Sequence, residues 1–437
     1  MTRTRRITGL AIGSIAAASL LLAGCAGSSD GGASSTPDST EPVELTISWW
    51  GNDERAALMD EVIDMFEDKH PNITVVAQPV GAPDDLFNRL ATDFASGTAP
   101  DVFALGGAKP LEYGAAGALL DLDTVSDYVD LAPYPDFTLT NTTVDGKVYG
   151  LPTGGNAIGM LVNEDIFETA GVDLPTEDWT WDDLSSAAEE VSASGGEGVM
   201  GLDLRIQDIV GTYLAQITEY GMYTPEGTIG IDEADLGSWF EIEEELVANG
   251  GLPDPTVIVE NWAATPDLSP FGTGRAGITF AYSNQIGSYA AGTGGASVQI
   301  LPPPTDTDVS GVAVLPSQFW AIAAKSEHPA EAAMLMDFLL NDPEAAEVIL
   351  SNRGLQFNPA ILEVVKPLLG EADAQAAEYL ERVLEIGVVA PPQPAGGGIM
   401  NELTQRTESD ILFGRTTIEE GTSNWITELN ASLESAG

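Results

Sequence analysis

From Val43 the chain reads VELTISWW, then GNDERAALMDEVIDMFEDKHPN, then ITVVAQPV. The first and third stretches are short and β-rich, whereas Leu58, Met59, Val62, Ile63 and Phe66 in the middle recur at helical spacing. This pattern predicts a strand–helix–strand unit, with Asn52 or Asp53 capping the helix and HPN ending it. LFNRLATDFASGTAPDVFALGG repeats the logic: a helix, a Gly/Pro break, and the strand DVFAL. Alternating strands and helices imply a mostly parallel α/β sheet. Such sheets bind ligands beyond the C-terminal ends of their strands, here at the loops WGND and LGGAK.

A second α/β run follows KVYGLPTGG. It comprises AIGMLVN, the acidic helix DDLSSAAEEVSASG, GVMGLDL and a helix around GSWFEIEEELVANG, then the strand-like RAGITFAYSN and SVQILPPP, VLPSQFWAIAAKS and several late helices. A chain of 437 residues with 43% hydrophobic positions can bury a sizeable core but is too long for one compact domain. Two lobes are expected, with KVYGLPTGG and VLPSQFWAIAA as the crossings between them. No repeat of 20 to 50 residues is present.

The N-terminus has a different pattern. MTRTRR, with Arg3, Arg5 and Arg6, precedes ITGLAIGSIAAASLLLAG, a charge-free apolar run shorter than the roughly 20 residues of a bilayer-spanning helix. This is the composition of a secretory signal, residues 1–24. Cys25, the one cysteine in the chain, follows it in LLAGC. It can form neither an internal disulfide nor a structural zinc site. Leu22, Ala23, Gly24 and Cys25 resemble the lipobox of bacterial lipoproteins, so Cys25 is expected to carry lipid. Residues 25–42 offer too little apolar surface to fold and are expected to act as a flexible linker.

Charge narrows the ligand classes. With 16 Lys plus Arg against 68 Asp plus Glu, the formal charge is −52. Such a surface repels nucleic-acid phosphates and anionic membranes. It also disfavours anionic ligands, which draw on Arg and Lys, and leaves neutral or cationic ones. The acidity serves equally well as a solubilising surface unrelated to any ligand. GTGRAG, residues 272 to 277, fits GxGxxG but precedes a strand instead of following one, so it does not read as a dinucleotide loop. His70 and His328 both stand before proline, as turn and helix-start punctuation. No cofactor, metal site or catalytic residue is indicated, although 68 acids leave a glycosidase pair open.

The eight tryptophans bear on sugar recognition, because flat aromatic faces pack on the C–H faces of sugar rings. Trp179, Trp181, Trp239 and Trp425 read as core. Trp50, at a strand end before GND, Trp262, in the loop-like ENWAATPD, and Trp320, in the second crossing, are the ligand candidates.

Several segments together resemble the extracellular solute-binding proteins of family 1, the carbohydrate-capturing subunits of ABC importers, similar to maltose-binding protein. They are the lipobox, TISWWGNDERAALMDEVIDMFEDKHPNITV, ASGTAPDVF, DGKVYGLPTGGNAIGMLVNEDIF, FGTGRAGITF, ILPPP and AKSEHPAEAAMLMDFLLND. The resemblance implies a two-lobed, type II periplasmic-binding-protein-like α/β fold, each lobe a mostly parallel sheet flanked by helices, with the ligand cleft between them. The first lobe would take 43–151 and 319–360, and the second 155–315 and 361–437. It further implies ligand contacts at Trp50, Asn52 and Asp53, at Gly155 and Asn156, at Asp203 and Arg205, and at Tyr282, Ser283 and Asn284. Asn284 and the glycines 396 to 398 stand near positions where maltose binders place tryptophan, which argues against maltodextrin. Each polar candidate also has a purely structural reading: Asp53 as a helix cap, Asp203 as a strand end, Arg205 as an ion-pair partner and Gly155 as a flexible crossing residue.

The function expected from this sequence is a non-enzymatic, monomeric binding lipoprotein on the outer face of the cell membrane. It would capture a mono- or oligosaccharide and deliver it to the transmembrane subunits of an ABC permease. A polyamine-binding protein, a surface glycosidase and an adhesion or sensory lipoprotein are the alternatives.

Overall fold

The structure is a computed structural model that describes residues 41–436 apart from Ile206 and Ala395. The expected signal, Cys25 and nearly all of the linker lie outside the described residues. Strand β1 (Val43–Ser48) runs parallel to β2 (Ile73–Ala77) and β3 (Val102–Leu105), with helices Asp53–Lys69 and Pro83–Ser96 as the connections. Asn52 caps the first of these: its side chain accepts the Arg55 N–H at 3.0 Å. Asp53 is the first helical residue.

After the small hairpin β4 (Thr143–Val144) and β5 (Lys147–Val148), the chain enters β6 (Leu151–Asn156) and passes through Ala157 directly into β7 (Ile158–Asn163). Here the chain changes sheets. With β8 (Met200–Asp203), β9 (Ala276–Tyr282), β10 (Val298–Leu301) and β11 (Leu315–Ile322), the described residues form a five-stranded sheet of order β2-β1-β3-β11-β6 and a four-stranded sheet of order β10-β7-β9-β8.

The two-sheet α/β architecture matches expectation, but the sheets are mixed. β11 is antiparallel to both β3 and β6, and β7 is antiparallel to both β9 and β10, leaving β8 parallel to β9. The cause is the chain path. β11 returns from the other sheet and meets β3 and β6 in the opposite sense, and no crossover helix connects it to either, as a parallel pairing would need. The lobe boundary shifts for the same reason. Gly155 and Asn156, expected in the second lobe, belong to β6 of the first sheet, and β11 begins at Leu315.

Each sheet has its own apolar core. Trp49, Phe66, Phe103 and Trp320 sit in the first, and Trp181, Trp239, Phe280 and Trp425 in the second. In the second, the Trp181 and Trp239 rings meet edge to face at 5.4 Å.

Candidate functional site

The crossings place a cleft between the two sheets. From the first lobe it is lined by the loop after β3 (Gly107 and Ala108) and by Phe137 and Asn141 of the 3-10 turn Asp136–Thr142. The second lobe adds Asp208 and Thr212 of helix Asp208–Ile217, the aromatic loop carrying Tyr220 and Tyr223, and the segment Val388–Gln393. Gly311, residues 313 to 316 and Phe319 form its crossing wall. The volume is about 320 Å³. Tyr220 and Val389–Pro392 also line a neighbouring outer compartment of about 1070 Å³, whose lining includes Leu111, Leu139 and Thr140. The pre-formed loop after β3 follows from its glycines: Gly107 has φ +55°, a conformation open to glycine at little cost.

Asp208 is the one charged residue among those lining the inner compartment. It accepts the Asn401 side-chain N–H at 3.1 Å and hydrogen-bonds to the Tyr282 phenol. Burial, reinforced by Asp208, pushes the Tyr282 phenol far above its ordinary range, so it remains a neutral hydroxyl at any physiological pH. A carboxylate held in place by an amide and a phenol, with aromatic faces beside it, can bind hydroxyl-bearing ligands.

The residues expected at the site disperse. Trp50 is half-buried, meets Phe87 edge to face at 5.6 Å, and lies against Gly106 of the cleft loop, where an added Cβ would stand 3.4 Å from its ring. Asn52 is committed to its helix cap, and Asp53 is exposed. The Asn156 side-chain amide donates to the Ser317 hydroxyl at 2.8 Å, while its carbonyl oxygen is buried without a partner. Gly155 is fixed by packing, since a Cβ there would sit 2.5 Å from the Phe357 ring. Asn284 is exposed. Trp262 is half-buried against the second core with its indole N–H enclosed and unpartnered.

Four expectations meet structural roles instead. Trp320 is 1% exposed and packs under the Arg353 guanidinium, 4.6 Å from its ring centre. Alternate side chains of a strand face opposite ways, so its neighbour Phe319 is the residue that reaches the cleft. Asp203 is 2% exposed and accepts the Phe271 N–H at 3.2 Å, with burial pushing its carboxyl up to about 6. Arg205 donates to the carbonyls of Asn261 and Ala264 and to the Tyr289 hydroxyl, which spends its guanidinium on the loop holding Trp262. Ser283, fully buried, is bonded to Ala157 at the crossing. Asp208, Tyr220, Tyr223 and the Pro391–Pro392 segment were not among the sequence candidates. The aromatics of EYGMYTPEG and the Pro/Gly density of VVAPPQPAGGG were the available signals.

Residues 50–346, which span both sheets, match the family of bacterial extracellular solute-binding proteins. The chain belongs to the bacterial extracellular solute-binding protein family. Among the relatives of this solute-binding protein, the lactose-binding protein of Rhizobium radiobacter is 29% identical over 224 residues, 49% of this chain and 51% of its own length. An uncharacterised lipoprotein of Streptomyces antibioticus is 24% identical over 349 residues, 76% of this chain and 73% of its own length. The chain spans about half the length of the first curated relatives it matches. Among solved structures, a periplasmic oligogalacturonide binding protein from Yersinia enterocolitica, in complex with saturated digalacturonic acid, superposes with a TM-score of 0.74. It is 24% identical, with 90% of this chain and 99% of that one covered.

Proposed function

We propose that this solute-binding protein is the sugar receptor of an ABC importer, tethered to the outer face of the cell membrane through lipid on Cys25. The observation that carries the sugar reading is the inner cleft. It combines the aromatic side chains Phe137, Tyr220 and Tyr223 with the carboxylate of Asp208 and has no cationic residue in its lining. Hydroxyl-rich neutral ligands match such a wall, because the carboxylate accepts their O–H groups and the apolar faces take their C–H surfaces. The lactose-binding relative supports the same ligand class. LLAGC and the lipoprotein relative support the tether. Lipid on one cysteine anchors stably when it brings two acyl chains.

Function follows as capture without catalysis. A ligand that touches both lobes stabilises the closed arrangement by its differential contacts, and hinge motion at Ala157 and between Leu301 and Leu315 provides the movement. The closed complex is what the permease would receive. A thermal-shift screen of residues 41–437 against neutral sugars, with polyamines, amino acids and phosphate esters as controls, tests the reading. A ligand at about 100 times its Kd adds roughly 2.7 kcal/mol of stability. A shift with a sugar series and no hydrolysis supports it, whereas a shift with a polyamine alone defeats it.

A further inference from the structure

The cleft has two compartments, and one ligand ring would not fill both. The inner space of about 320 Å³ is at the small end of ordinary ligand sites, which run to roughly 1,000 Å³, and the outer space of about 1070 Å³ is at the large end. They are neighbours, because Tyr220 and the segment Val389–Pro392 line both. At this shared border the apolar surface is unusually bare: Tyr220 is 42% and Val389 64% exposed. The charges are of one sign. Asp208 is the charged lining residue of the inner compartment, and Asp136 and Asp145 are those of the outer. The two lysines adjoining the cleft are engaged elsewhere, Lys109 with Glu112 at 2.6 Å and Lys147 with Asp121 at 3.3 Å.

From this geometry we infer that the ligand is an uncharged oligosaccharide of three or more rings. Its terminal portion occupies the inner compartment against Asp208, the next ring stacks on Tyr220, and the remainder lies along the outer wall of Leu111, Leu139 and Thr140. The inference rests on the sugar-receptor reading and adds length and charge to it. Uronate chains are excluded because each carboxylate would enter a cleft lined by three acids and no guanidinium or ammonium to neutralise it. The chain thus differs in ligand charge from its structural neighbour that holds digalacturonic acid.

The test is isothermal titration of the folded body with neutral gluco-, galacto- and manno-oligosaccharides of one to five rings and with oligogalacturonides of the same lengths. In the series that binds, affinity should rise by about tenfold or more between two and four rings. Tyr220→Ala should reduce that increment to less than about threefold, and Tyr220→Phe, which keeps the ring, should restore it. A disaccharide that binds as tightly as its longer homologues would overturn the two-compartment inference and leave the sugar receptor standing. Tighter binding of an oligogalacturonide than of the neutral series would overturn the charge assignment alone. No binding by any sugar of any length, with a polyamine bound instead, would overturn both readings.

Discussion

Ser283 and Ala157 exchange two hydrogen bonds across the point where the chain leaves one sheet for the other: the Ser283 N–H donates to the Ala157 carbonyl at 2.8 Å, and the Ala157 N–H donates to the Ser283 hydroxyl at 3.2 Å. Ala157 is the single residue between β6 and β7, and both partners are fully buried. The pair therefore ties the end of β9 to the crossing itself. Ser283→Ala leaves a buried backbone N–H without an acceptor, a loss of about 1–3 kcal/mol. Urea unfolding should show that loss in the midpoint, and an unchanged midpoint would mean that the crossing does not depend on the clip.

Trp320 carries a larger share of the first core. Truncating a buried tryptophan to alanine costs about 3–5 kcal/mol, and here it also strips the ring face from the buried Arg353 guanidinium. Burial and the nearby Arg55 already lower the Arg353 guanidinium to about 9. Trp320→Ala is expected to unfold at a markedly lower urea concentration, and Trp320→Phe at an intermediate one. A Trp320→Ala variant of full stability that has lost ligand would return the residue to the site.

These two residues show what was legible in the sequence. Hydrophobic periodicity located the strands and the first capped helix, because pattern and burial are both local quantities. The segment expected as the second crossing, VLPSQFWAIAA, is mostly strand β11, and a strand's two faces differ by one residue, so that FW offers an aromatic to each. Which of Phe319 and Trp320 meets the cleft depends on the pairing of β11 with β3 and β6, which the spacing of residues along one strand does not encode. Asp208 was missed for a related reason. Among 68 acids it stands out only once helix Asp208–Ile217 is set opposite the loop after β3, a juxtaposition of distant segments.

Two buried acids make stability depend on pH. Burial pushes the Glu408 carboxyl up to about 8, and it raises Glu243, which also feels Glu408, in the same direction. Gln207 donates to one Glu408 oxygen and the Trp239 indole donates to Glu243, with no cation among the causes that shift either acid. A carboxyl whose folded pKa is raised binds its proton more tightly when folded. Its contribution is complete below its ordinary value of 4.5 and is lost as pH rises towards about 8. The wild-type melting temperature should therefore fall across that window. Glu408→Gln should flatten the decline and melt higher than wild type at pH 8, and parallel curves would show that Glu408 is not the titrating group. Asp203, raised to about 6, adds a shallower loss between its ordinary 3.8 and that value.

Cys25 lies outside the described residues, and its prediction rests on LLAGC and on the lipoprotein relative. Cys25→Ser should move the protein from the membrane fraction to the medium and abolish incorporation of labelled palmitate. Membrane retention of the variant would defeat the tether.

Asp208 is where the cleft's electrostatics can be separated from its shape. Its carboxylate contributes to holding the Tyr282 phenol un-ionised, after burial, and it also faces the ligand space. Asp208→Asn keeps the size and a hydrogen-bonding carbonyl but removes the charge. Two effects follow from one substitution. The Tyr282 phenol should titrate at lower pH in an ultraviolet difference spectrum, because a like-charge neighbour no longer opposes phenolate formation. Sugar affinity should drop by about tenfold or more, since a hydrogen bond to a charged acceptor contributes about 1.5–3 kcal/mol. A shifted phenol with unchanged affinity would show that Asp208 orients Tyr282 without touching the ligand. An unshifted phenol with weakened binding would show the reverse, with the carboxylate acting on the sugar hydroxyls directly and Tyr282 held by burial alone.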